Sequence, residues 1–66
     1  MVKLSRLKLL RERKALTQAE LAERAGISRI TVARLEAGVD EPRPATTRKL
    51  AAALGVEPEA LMDPLD

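Results

Sequence analysis

The stretch Thr17-Gln18-Ala19-Glu20-Leu21-Ala22-Glu23-Arg24-Ala25-Gly26-Ile27-Ser28-Arg29-Ile30-Thr31-Val32-Ala33-Arg34-Leu35-Glu36-Ala37 decides the fold. Its first four residues form a capping box, in which a Thr hydroxyl and a Glu carboxylate three positions on satisfy each other's free backbone N–H groups. Leu16, just before the cap, is placed to staple against Leu21. The helix so started carries Leu21, Ala22 and Ala25 inward and stops at Gly26, a residue suited to the left-handed conformation that closes a helix. Ser28 then caps a second helix that turns Val32 and Leu35 inward and ends at Ala37 before Gly38. Two short helices joined by Ala25-Gly26-Ile27-Ser28 cross steeply, which predicts a helix-turn-helix over about residues 17–37.

Upstream, Leu4, Leu7, Leu10 and Arg11 recur at helical spacing, so a first helix is expected from about Val2 to Lys14, with Leu9 off its apolar stripe. Downstream, Asp40, Pro42 and Pro44 mark residues 39–45 as a loop. A fourth helix is expected to open at Thr46 or Thr47, bury Leu50, Ala51 and Leu54, and end at Gly55. Pro58, Leu61 and Met62 suggest a short last one. With no strand alternation and no repeat, the expected class is all-α: a compact bundle of five short helices forming one domain over 1–66.

Composition narrows the function. Cysteine and histidine are absent, which removes disulfides and ordinary zinc sites. A chain of 66 residues has a marginal core, so a partner chain is the remaining means of support. The lack of Phe, Tyr and Trp excludes the stacking platforms on which single-stranded nucleic acid is usually held. With Ser5 and Ser28 as the serines and no convergent carboxylate pair, no catalytic arrangement can be assembled, so neither an enzyme nor a cofactor is expected. No apolar run reaches the roughly 18 residues of a membrane span, and no signal segment opens the chain, so a cytoplasmic protein without membrane contact is expected.

The net charge of +2 hides an uneven distribution. Residues 1–36 carry nine basic against four acidic side chains, whereas 37–66 carry three against six. A basic half beside an acidic half reads either as one anion-binding face or as a surface of mixed charge.

The motif Thr17-Gln18-x-x-Leu21-Ala22-x-x-x-Gly26-Ile27-Ser28, followed by Leu35-Glu36-x-Gly38 and Lys49-Leu50-Ala51-x-Ala53-Leu54-Gly55-Val56, resembles the Xre-type family of lambdoid phage repressors and Cro proteins. The resemblance covers nearly the whole chain. It implies a sequence-specific transcriptional regulator, most simply a repressor, that binds double-stranded DNA as a homodimer on a near-palindromic operator. An antitoxin or adaptor whose main partner is another protein, such as a toxin, is the alternative.

Helical spacing and the resemblance agree on the reading surface. With Val32 and Leu35 inward, Ser28, Arg29, Ile30, Ala33 and Arg34 turn outward, and the family places these positions at base edges. Arg29 and Arg34 can each fork onto guanine O6 and N7, and Ile30 and Ala33 suit a thymine methyl. For the arginines a phosphate contact or a solvated side chain is the other reading; for Ile30 it is packing, and for Ser28 the cap alone. Gln18 and Thr17, at a helix start, suit a phosphate; Arg43, Thr46 and Thr47 fall where the resemblance brings the chain to the other side of the phosphate track. The resemblance also makes Arg11 and Glu36 a buried ion pair joining the first and third helices. Pro58, Leu61 and Met62, with Leu65, are candidates for the dimer contact, although Leu61 and Met62 could equally complete the core.

Overall fold

The computed structural model describes residues 4–62. Four α-helices and a 3-10 turn follow one another: α1 Leu7–Arg13, α2 Gln18–Ala25, α3 Arg29–Ala37, α4 Pro44–Leu54, then the turn Pro58–Leu61. The expected fifth helix is therefore this four-residue turn. Pro58 opens it, but nothing continues the i to i+4 ladder, and the chain is extended again at Met62.

α1 also starts later than the periodicity suggests. Val2 lies outside the described residues, and Ser5 and Arg6 form a turn. Tertiary contact explains the delay: the Arg6 N–H donates to the Leu61 carbonyl at 3.1 Å, and Leu4 is buried in the core. After α1 the chain reverses through Ala15, a non-glycine residue at φ +56°.

The caps of the central helices match their sequence signals. Glu20 N–H donates to Thr17 Oγ1 at 3.0 Å, and Thr17 N–H donates to Glu20 Oε1 at 2.9 Å. The Thr17 backbone N–H, and after it the Thr17 hydroxyl, hold the Glu20 carboxyl below its ordinary pKa, because each stabilises the charged form. Gly26 sits at φ +72°, and the Ile27 N–H returns to the Ala22 carbonyl at 3.0 Å. Ser28 Oγ accepts from Thr31 N–H at 3.1 Å.

α4 begins at Pro44, two residues before the expected start. Proline is compatible with the first helical position, where its missing N–H would be unpaired in any case. The loop thus shrinks to residues 39–43.

The core is wholly aliphatic. Leu4, Leu7, Leu16, Leu21, Ala22, Ala25, Val32, Leu35, Leu50, Ala51, Leu54 and Leu61 form one buried cluster drawn from every element. Ala22, on α2, leaves room for α3 to cross closely, and Val32 and Leu35 anchor α3 from below. Leu9 remains exposed, as its place off the stripe suggests. No helix among the described residues is long and apolar enough to cross a membrane.

Candidate nucleic-acid interface

α3 owes its orientation to three things: the left-handed Gly26 bend, the burial of Val32 and Leu35, and an ion pair. Arg11 Nε donates to Glu36 Oε2 at 2.6 Å and Arg11 Nη2 to Glu36 Oε1 at 3.1 Å. A further Arg11 nitrogen, Nη1, donates to the Leu16 carbonyl at 2.7 Å. Only 11% of the arginine side chain and 5% of the glutamate side chain are exposed. The hydrogen bond to Glu36 raises the Arg11 pKa, with its charge adding to the effect and desolvation opposing it. The pair links α1 to α3.

Gln18, the first residue of α2, joins this network. Its Nε2 donates to Glu36 Oε1 at 3.0 Å, so its amide is held against α3 instead of sweeping freely at the helix start. Thr17 is exposed beside it, its oxygen already accepting the capping bond.

The outward face of α3 matches the helical spacing. Arg29, Ile30 and Arg34 are exposed, Ala33 is half-buried, and Ser28 is exposed at the cap. Gln18, Arg29, Ile30, Ala33 and Arg34 line a single shallow depression of about 250 Å³ with Ala37 and Val39. The two arginines therefore border one surface. Ile30 is 66% exposed and Val39 62%, giving that surface an apolar floor between cationic edges.

Arg34 carries a partner that sequence reasoning missed. Its Nε donates to Asp40 Oδ2 at 2.8 Å and its Nη2 to Asp40 Oδ1 at 2.9 Å. Both side chains stay wet, at 51% and 42% exposure. The paired hydrogen bond raises the arginine pKa and lowers that of Asp40. Gly38, at φ +73°, turns the chain back over the end of α3 and brings Asp40 to Arg34. That glycine was the available signal, had the return path of the loop been followed.

The other expected residues divide. Arg43 is exposed at the cap of α4, and Thr46 is half-buried in the first turn of that helix. Both line a second depression with Thr31, Leu35, Asp40, Glu41, Pro42 and Pro44. Thr47 does not join them. It is 5% exposed, and its hydroxyl is already engaged, donating to the Arg43 carbonyl at 3.0 Å.

Leu61 likewise leaves the dimer surface, because it is fully buried in the core beneath α4. Pro58 and Met62 are half-buried and border an apolar depression with Pro42, Pro44, Thr47 and Arg48. Leu65 lies outside the described residues.

Known structures give the same architecture. The restriction-modification controller protein C.AhdI from Aeromonas hydrophila is 38% identical, each chain is covered over 88%, and the TM-score is 0.84. The DNA-binding domain of the P22 c2 repressor is 25% identical over 89% of this chain and 79% of that one, at a TM-score of 0.83. A chain of the SinR/SinI protein complex is 28% identical over 94% of this chain but 61% of its own length, at a TM-score of 0.86. No curated protein sequence matches significantly. The helix-turn-helix family model matches residues 7–61. The chain belongs to the Xre, lambda-repressor-like helix-turn-helix family of DNA-binding transcription regulators.

Proposed function

We propose that this DNA-binding regulator is a sequence-specific repressor that works as a homodimer on a two-fold symmetric operator. The observation that carries the reading is the shared depression on α3: Arg29, Ile30, Ala33 and Arg34 border one surface, with Gln18 at its edge. An α-helix is about 10–12 Å across with its side chains, a diameter that a major groove about 12 Å wide accepts. Arg29 and Arg34 reach guanine edges, while Ile30 and Ala33 meet thymine methyls. Ser28 caps the helix and can also meet the edge of the site. Thr17, Gln18, Arg43 and Thr46, at the starts of α2 and α4, hold the phosphates on either side, where free N–H groups and the helix dipole favour an anion.

Size supports dimerisation. The Cα trace of the described residues spans 28 Å and presents one recognition helix, whereas successive major grooves on one face of the duplex lie roughly 34 Å apart. One copy therefore reads one half-site, and a second copy supplies the other. Pro58 and Met62 are the candidate contact. Binding would repress by occluding a promoter. The likeness to a chain of the SinR/SinI complex favours a second reading, in which another protein is the main partner.

Selecting binding sites from a random duplex library tests the proposal. A two-fold symmetric consensus with half-sites one helical turn apart is the expected result. Enrichment without a consensus, together with copurification of another protein, would establish the second reading instead.

A further inference from the structure

A guanidinium has five N–H donors, and their allocation in Arg34 is informative. Asp40 takes Nε–H and one N–H of Nη2, the lateral edge of the fork. The outer edge, with both hydrogens of Nη1 and the second of Nη2, remains available. A guanine presents O6 and N7 as a pair of acceptors that such an outer edge can satisfy. Arg34 borders the depression on the reading face, whereas Asp40 borders the separate one beside Pro42 and Arg43. The carboxylate thus grips the arginine without lining the surface proposed to face the bases.

We propose that Asp40 is a specificity-determining residue: it positions Arg34 so that the outer edge of its fork is committed to one guanine in each half-site. This deepens the proposed function and rests on Arg34 reading a base. A free arginine has many rotamers and can satisfy itself on a phosphate as easily as on a base. Held laterally, it keeps one direction of approach. The carboxylate also disfavours misdirected contact, since a nearby phosphate is repelled by Asp40 at the moment it would attract Arg34. Ordering the side chain before binding removes a cost otherwise met on the DNA.

The test compares sequences within each protein, because removing an acidic side chain near DNA strengthens binding to every duplex. Wild type, Arg34→Ala, Asp40→Asn and the double variant are assayed by competition against operators carrying all four base pairs at every position. Thermal melts show that each variant folds.

Arg34→Ala is expected to erase a guanine preference at one position per half-site. Asp40→Asn should weaken the preference at that same position by about two- to tenfold, the cost of ordering one mobile side chain. The double variant should match Arg34→Ala. If Arg34→Ala flattens no position, the base contact itself is wrong and the inference falls with it. If Arg34→Ala flattens a position that Asp40→Asn leaves alone or sharpens, the base contact stands and Asp40 does not position it.

Discussion

Arg11 and Glu36 stand twenty-five positions apart and meet in a two-bond ion pair, closed at 2.6 and 3.1 Å, that also orients Gln18 on α2. Three helices therefore share one charged junction beneath the reading face. Replacing Arg11 with Ala strands a buried carboxylate and the Leu16 carbonyl together. It should cost about 3–5 kcal/mol, a large share of the total stability of so small a domain. Urea unfolding checks this, and loss of DNA binding by the variant would then track the unfolded fraction.

Backbone strain separates two turns. Ala15 holds a left-handed conformation that costs a side-chain-bearing residue roughly 1–2 kcal/mol. Ala15→Gly removes that strain but adds entropy to the unfolded chain, for a net gain of about 0.5–1 kcal/mol. Gly26→Ala should do the reverse, losing about 1 kcal/mol through φ alone, because a Cβ there meets no atom within 4 Å. Melting temperatures of the two variants should move in opposite directions.

Thr47 on α4 and Arg43 at the cap of that helix have different work to do. Thr47→Ala should lower stability, by about 1 kcal/mol for the lost hydrogen bond, and leave the salt dependence of DNA binding unchanged. Arg43→Ala should leave stability nearly unchanged and reduce the log–log salt slope by about 0.9, one phosphate's worth. Titrating binding against salt distinguishes them. A reduced slope in a folded Thr47 variant would return that residue to the interface.

The last turn offers a similar contrast. Leu61→Ala empties a fully buried site and should destabilise by about 2–5 kcal/mol. Met62→Asp should weaken self-association, read by sedimentation equilibrium across concentration, with thermal melts showing how much of the fold survives the loss of a side chain packed on the core. An unchanged dimer constant would remove Met62 from the contact.

Acid should loosen the start of α2. The Glu20 carboxyl has a lowered pKa in the fold, chiefly from the Thr17 backbone hydrogen bond. Its contribution is thus present above the ordinary glutamate pKa and is lost as pH falls through the lower folded value. The melting temperature should drop over that acidic interval, and Glu20→Gln should flatten its share of the drop while leaving neutral-pH binding intact.

Local chemistry made much of this protein legible without coordinates. The Thr17–Glu20 box, the Ser28 cap and the Gly26 stop all depend on groups within a few positions of each other, so their geometry follows from spacing. The outward set Arg29, Ile30, Ala33 and Arg34 followed once Val32 and Leu35 were turned inward. Ala15 gave no warning, because alanine has no preference for the conformation it adopts there. The start of α4 was misplaced by reading Pro44 as a breaker when it serves as a first residue.

The amino-acid order alone settled the class of fold and the surface that faces outward, since both rest on periodicity and capping. Tertiary structure decided which of those exposed or polar groups are already occupied. Asp40 on Arg34, Glu36 on Gln18, Leu61 in the core and Thr47 on the buried face of α4 all depend on how separate elements meet. That path is set by the packing of the whole chain, which no spacing along one helix encodes.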